Sequence, residues 1–342
     1  MLRVAQARRL LLSRSLSTFA KNHTDPITYC VDLVKKHDYE SYLIAHFWPK
    51  ELRGGYFALK AFSTEIASIQ DNVSNTSIGR MRMQFWRDAV KGIADGNPPR
   101  HPIALALYQE PSIQNANLQM YHFKRIIDAR DAELQVPVHL TVDSLTAHSE
   151  STSSTMLYLL LSLRQPHSRP KLGSLDLLSH ALSHLGTAHT MSILLRALPY
   201  HARNGRMVIP AEITAKHSVV QEDVFRKGPG ATGLADAVFE FATIANDHLR
   251  TAQEMFEDGN SHDHTHSHGH EREGLGNGGK DVSFGGKIPR AVMPVFLTGI
   301  PVSTILTQLE KVNFNVFDPR IQVGDWKLPW SIWKRWYKRR MY

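Results

Sequence analysis

The sequence predicts an all-α fold on three observations. Nearly every segment with a clear hydrophobic period repeats at helical spacing. Strand alternation is almost absent, and the one short β-like run is "RMVIP", Arg206–Pro210. No unit of about 20–50 residues recurs, which argues against a solenoid. The expected architecture is many helices around one core.

The first helix is expected over 29–47, where apolar groups keep helical spacing until Pro49. Two more cover 50–69 and 77–92, separated by the polar turn "DNVSNTS". Gly96-Asn97-Pro98-Pro99 is a break, because glycine and proline punctuate periodic segments. Helical spacing returns at 103–109, 116–133, 142–163, 174–203, 232–256 and 288–312. Within 77–92, "RMRMQFW" reads as an amphipathic helix that packs Met81, Phe85 and Trp86 inward. The longest charge-free run, Ala291–Leu309, contains Pro294, Gly299, Pro301 and Gln308. A membrane span needs about 20 predominantly apolar residues. The run is therefore read as a buried helix, with a re-entrant membrane segment as the alternative.

Composition sets the outer limits. The chain has 342 residues, 42% hydrophobic and 21% charged, the balance of a globular protein with a sizeable core. Its single cysteine, Cys30, excludes an internal disulfide and a thiol cluster for zinc or iron–sulfur. The net charge of +8 is uneven. Arg3, Arg8, Arg9, Arg14 and Lys21 precede the first acid, Asp25, and six further cations follow Trp326 with no acid. Taking those five and six from +8 leaves the body at −3. A basic body would have pointed to nucleic acid. A mildly acidic body with two basic ends points to addressing at one end and a surface contact at the other.

Residues 1–24 alternate arginine with leucine and alanine, add serines and lack acids, the composition of a mitochondrial transit peptide. The apolar "LLL" is too short for a secretory signal; the alternative is a disordered basic arm. Residues 257–286 differ from the rest, with histidines alternating at 262, 264, 266, 268 and 270. Imidazoles in such a tract bind Zn²⁺, Cu²⁺ or Ni²⁺ loosely. Glycine, serine and charge dominate it, so the reading taken is a disordered surface insertion without a functional metal. The chain then divides into the leader 1–24, a helical domain 25–313 and a basic, tryptophan-rich tail 314–342.

Two stretches carry a family resemblance. "HFWPKELRGGYFALKAFSTEIASI" (46–69) resembles the first signature of the squalene/phytoene synthase family, and "GTAHTMSILLRALPYHARNGRMVIP" (186–210) resembles the second. The resemblance extends from about residue 27 to 312. It implies an isoprenoid-synthase-like helical bundle around a central cavity, and an ancestral chemistry that joins two prenyl diphosphates head to head. Ionising a prenyl diphosphate requires its leaving group to be neutralised, which Mg²⁺ does when carboxylates hold it. Acids at i and i+4 on a helix share a face, and two such helices facing each other make the metal cage.

By this resemblance the first set of acid positions falls on Thr64, Glu65 and Ser68, and the second on Ala197 and His201. Only Glu65 keeps a carboxylate. Asp71, six residues on, lies about 120° round a continuous helix and cannot share an ion with Glu65. The frame of Arg196, Gly205, Arg206 and Pro210 still matches the family pattern. The resemblance therefore implies a scaffold kept without its catalytic metal site, and no cofactor. Glu65, Arg196 and Arg206 are the candidates for residual ligand contact. The alternative for the two arginines is structural ion pairing.

The stretch "STEIASIQDNVSNTSIGRMRMQFWRDAV" (63–90) resembles a non-enzymatic branch of the family, which assists assembly of mitochondrial respiratory complex I. That resemblance implies a matrix protein at the inner membrane whose partners are complex I subunits or intermediates. A magnesium-dependent prenyl transferase, or an isoprenoid- or lipid-binding protein, is the alternative.

The tail "DWKLPWSIWKRWYKRRMY" supplies a further candidate surface. If a helix begins near Pro329, Trp330, Trp333 and Tyr337 line one face, with Lys334, Arg335, Lys338 and Arg339 on or beside the opposite flank. Trp336 completes the aromatic set. Tryptophan favours the headgroup level and cations favour anionic lipid, so a peripheral in-plane membrane contact is expected. The alternative is packing of the tryptophans against the body or a protein partner.

Overall fold

The computed structural model describes residues 25–73, 75–116, 118–164, 172–257 and 286–341. The predicted leader 1–24 lies outside the described residues, as does the histidine tract within the predicted insertion 257–286.

The first expected helix is two. Helix α1 (Pro26–His37) and helix α2 (Tyr39–Ala45) meet at Asp38, which closes one and caps the other by accepting from the Ser41 amide at 3.1 Å. A carboxylate at a helix start satisfies amides that have no partner within the helix. After a 3₁₀ turn at Lys50–Leu52 comes α3 (Arg53–Ser68), and a second 3₁₀ turn follows at Gln70–Asn72. Asp71 therefore sits on this turn, past the end of α3, and not on a continuous helix with Glu65. Helix α4 (Thr76–Ala94) starts at Asn75, whose side chain accepts from the Ile78 amide at 2.9 Å.

Helices α5 (Pro102–Gln109) and α6 (Pro111–Ala116) are short and begin with proline, which needs no amide partner at a first position. Helix α7 (Met120–Gln135) packs on α4. A capping box of Thr141 and Ser144 opens α8 (Val142–Ser149), which passes through a π turn at Glu150–Ser154 into α9 (Thr155–Arg164). The spine is α10 (Leu172–Arg203), which packs along α13 (Leu234–Glu254). Between them lie α11 (Ala211–Lys216) and α12 (Gln221–Lys227). The chain ends with α14 (Met293–Phe296), α15 (Gly299–Lys311), α16 (Pro319–Gln322) and α17 (Leu328–Lys338).

One contiguous core joins these helices. Leu182, Leu185 and Met191 on α10, Phe241, Ala245 and Leu249 on α13, and Phe57, Phe62 and Ile66 on α3 all belong to it. The π turn crosses α10 at Gly186. A Cβ there would lie 2.2 Å from Ser154 Oγ and 2.6 Å from the Ser154 backbone, so only glycine lets the two helices approach. Ser154 Oγ donates to the Ser183 carbonyl at 3.0 Å across the same crossing.

Three expectations are corrected. "RMVIP" is not a strand: Met207, Val208 and Ile209 are buried in the connection from α10 to α11, so burial produced their apolar run. In α4, Met81 is 72% exposed and Phe85 40% exposed, whereas Met83 and Trp86 are buried. The buried face follows Gly79, Met83, Trp86 and Val90, and Met81 lies about 200° from two of them. Finally, 288–312 is not one helix, because it breaks at Leu297–Thr298 between α14 and α15. The apolar run is buried from Val292 to Val302 and one-sided beyond it, with Thr307 exposed, and no helix among the described residues is long and apolar enough to cross a membrane.

Candidate functional site

Helix α3 carries Thr64, Glu65 and Ser68, and α10 carries Arg196, Ala197 and His201. The α3 residues are half-buried, and Ser68 Oγ donates to the Glu65 carbonyl at 2.9 Å. The Glu65 carboxylate lies within electrostatic reach of Tyr29 and His101. The carboxylates whose fields reach His201 are Asp71 and Glu133.

The interior beside α3 and α10 holds paired charges and a buried imidazole. Lys60 enters from α3 and is nearly buried, with Nζ 3.3 Å from Asp38 Oδ2. Burial of Asp38 opposes its charge, but Lys60 and the Ser41 hydroxyl and amide outweigh it, so its carboxyl titrates below the usual range. His189, one face of α10, is pushed down to about 4, first by burial and then by Lys60. Tyr56 donates to the Ser41 carbonyl at 3.0 Å, and its ring packs 4.8 Å from Trp48. Arg196 pairs with Glu40 at the start of α2, and its carbonyl accepts from Gln322 at 3.0 Å.

At the C-terminal end of α10, His201 is buried, with Nε2 3.3 Å from Arg206 Nη2. Burial and then Arg206 lower its pKa. The Arg206 Nε is buried with no hydrogen-bond partner. Its field also reaches Glu133 and His139. Glu133 accepts from Arg130 at 2.7 Å and lies 3.6 Å from His148 Nε2. Burial opposes ionisation of Glu133, yet Arg130 and then His148 hold it down at about 2. His148 itself falls to about 4, mainly through burial. It is neutral at neutral pH, so Arg130 and Arg206 are the cations that balance Glu133.

Sequence reasoning missed Lys60, Asp38, His189 and the Glu133 cluster. A lysine inside the apolar run "YFALKAF" was the available signal for the first. The others depend on contacts between distant parts of the chain: His189 lies in the field of Lys60 and Asp38, and His148 beside Glu133.

Two donor sets bear on metal binding. Among Thr64, Glu65, Ser68, Ala197 and His201, only Glu65 supplies a carboxylate. Asp38 and Glu40 are already paired with Lys60 and Arg196. A cluster of Mg²⁺ requires several hard oxygen ligands, and a set in which two of the three carboxylates are taken up by Lys60 and Arg196 does not fit one. Glu133, His139 and His148 offer ligand atoms within 4.8 Å of one another. Arg130 and Arg206 already surplus the positive charge around that single carboxylate, which opposes a divalent ion there.

The all-helical architecture is that of an isoprenoid-synthase-like protein. The squalene/phytoene synthase family model matches residues 34–333, and the chain belongs to that family. Two relatives are named "NADH dehydrogenase (ubiquinone) complex I, assembly factor 6". The one from Bos taurus is 34% identical over 313 residues, covering 91% of this chain and 82% of its own. The one from Rattus norvegicus is 32% identical over 317 residues, covering 92% and 83%. A solved dehydrosqualene synthase in complex with ligand superimposes with a TM-score of 0.66 at 16% identity, covering 92% of this chain and 95% of that one. At that identity the likeness is one of fold.

The tail residues separate into three sectors of α17. Trp330, Trp333 and Tyr337 are exposed at 68%, 53% and 72%. Trp330 and Trp333 meet edge-on at 6.0 Å, and Trp333 stacks with Tyr337 at 6.3 Å. Leu328 and Ile332 are buried on the opposite side. Trp336, 40% exposed, lies on the flank beside the buried face with its ring 5.9 Å from Phe47 of the body. Lys334 and Lys338 are exposed, while Arg335 and Arg339 are half-buried. Arg339 ends the helix in the left-handed region, with φ 59°.

Proposed function

We propose that this protein is an assembly factor for mitochondrial respiratory complex I that has no prenyl-transfer activity. The observation that carries the reading is similarity, at 32–34% identity over more than nine-tenths of the chain, to proteins bearing that name. The donor set between α3 and α10 supports the second half. Of the five positions where the family resemblance puts acids, Thr64, Ser68, Ala197 and His201 carry none and only Glu65 keeps a carboxylate to hold magnesium. In this reading the leader 1–24 directs import into the matrix. The exposed face of α17 makes a peripheral contact with the inner membrane, and complex I subunits or intermediates are the partners.

Deleting the gene should lower assembled complex I on a native gel while sterol and carotenoid levels hold, and the full chain should restore it. Purified protein given farnesyl or geranylgeranyl diphosphate and Mg²⁺ should yield no condensation product. EDTA-sensitive turnover above a no-protein control would overturn the non-catalytic reading and leave the assembly reading to the gel. Removing 259–279, within the predicted insertion, should leave rescue intact, since Leu275 is the tract's only large apolar residue.

A further inference from the structure

A cleft of about 450 Å³ lies between α15 and α17, away from the α3–α10 interior. Its charged lining is lopsided: Lys311, Arg320, Lys327 and Arg335 against Asp325. The acid is engaged, since Asp325 Oδ1 accepts from the Lys327 amide at 2.8 Å. Arg320 is engaged too, through a forked pair with Asp318 at 2.8 and 2.9 Å. Lys311 and Lys327 are exposed, and Lys327 Nζ stands 5.4 Å from the Trp326 ring centre. Hydroxyls of Ser303, Thr307 and Ser331 line the same walls. Cations with hydroxyl donors in a water-open cleft suit a phosphate oxygen set.

Helix geometry places this cleft beside the aromatic face. At about 100° per residue, Leu328 and Ile332 mark the buried direction, and Trp330, Trp333 and Tyr337 the opposite one. Ser331 and Arg335 fall on one flank and line the cleft. Lys334 and Lys338 fall between that flank and the aromatics, and Trp336 falls on the other flank. Trp326, 77% exposed, borders the cleft as well. A surface that lets indoles settle at headgroup depth therefore brings a lipid phosphate to the cleft.

We propose that the α15–α17 cleft binds the phosphate of an anionic glycerophospholipid, with Lys311 and Lys327 as its charge contacts, while the neighbouring aromatics enter the headgroup layer. The proposal rests on the peripheral membrane contact inferred above and adds a defined site to it.

The test is flotation of the protein, lacking residues 1–24, with phosphatidylcholine vesicles with and without phosphatidylglycerol. The wild type should prefer the anionic vesicles. The Lys311→Gln/Lys327→Gln variant should lose on the order of tenfold in that preference, with its Tm unchanged and its binding to neutral vesicles kept. Lys334→Gln/Lys338→Gln removes the same charge from outside the cleft and should lose clearly less. Equal losses for the two variants would mean diffuse surface attraction and would overturn the cleft, leaving membrane contact standing. Glycerol 3-phosphate or inorganic phosphate that displaces the protein from anionic vesicles at micromolar concentration would assign the cleft to a soluble phosphate and overturn the lipid. A wild type that floats with neither vesicle would remove the membrane reading, and this proposal with it.

Discussion

The interior beside α3 and α10 and the outer face of α17 handle charge in opposite ways. Inside, Lys60, Arg196 and Arg130 each have a named acid, Asp38, Glu40 and Glu133. At the tail, Lys334 and Lys338 are exposed beside exposed tryptophans. Pairing matters most for Lys60, the most buried of the three, because a charge away from water costs several kcal/mol unless matched. Outside, water screens the same charge, which stays available for a partner. The interior charges thus serve the fold, and in the proposed reading the tail charges serve a contact. Substitutions should accordingly change stability in the first region and association in the second.

The largest effect on stability is expected at the helix crossing that frames the interior. Gly186→Ala puts a methyl against the Ser154 backbone, which cannot rotate away as a side chain would. A loss of about 3 kcal/mol is expected, read by denaturant unfolding. Lys60→Met comes next. It leaves Asp38 facing apolar packing with no cation, although part of the carboxylate still reaches water. About 2–3 kcal/mol is expected. Lys60→Met/Asp38→Asn should recover part of that loss. A double variant no better than the single one would show that the pair does not hold α2 against α3.

Acid sharpens the contrast without mutation. His148, His184 and His189 are each held at about 4, mainly by burial, against an ordinary value near 6.5. Their folded pKa values are depressed, so the unfolded chain binds protons more readily. The stability they permit is complete above about pH 6.5 and declines as pH falls towards 4. The carboxyls of Asp38 and Glu133 are depressed as well. Their contribution persists through that window and is lost only at lower pH. Unfolding free energy should therefore drop by a few kcal/mol between pH 6.5 and 4. His189→Gln should flatten the profile, and an unchanged slope would show that His189 is not charged on unfolding.

Much of this was legible in the chain, and the misses share a cause. Helical spacing located α3, α4, α10 and α13 to within a few residues; α4 and α13 bury one face along their length, whereas α3 is buried all round from Gly55 to Phe62. The division at Asp38 was hidden, since an aspartate within 29–47 reads equally as a solvated helical residue. Met81 and Phe85 were placed inward because hydrophobicity was taken for direction. Gly79, Met83 and Trp86 set the true face. Two of the interior pairs join residues far apart in sequence, and no local pattern encodes Lys60 with Asp38 or Arg196 with Glu40. The aromatic face of α17 was legible because it depends only on positions along one helix. The contact of Trp336 with Phe47, from the other end of the chain, was not legible in this way.

The smallest effect on stability, and the sharpest separation of the two regions, is expected at the tail. Trp330 and Trp333 are more than half exposed and touch chiefly each other and Tyr337. Replacing both with alanine removes little buried area, and exposed positions of this kind shift stability by about 0.5 kcal/mol or less. Ile332, on the same helix, is fully buried. Ile332→Ala should cost about 2–4 kcal/mol, taken up at least partly by undocking α17, because the cavity forms where the helix meets the body. The two variants should therefore diverge. Trp330→Ala/Trp333→Ala keeps the melting curve and loses vesicle binding, whereas Ile332→Ala makes the tail amides exchange faster while both tryptophans remain. If the double tryptophan variant melts several degrees lower, the indoles are packing groups of the fold, and α17 does not present a contact surface.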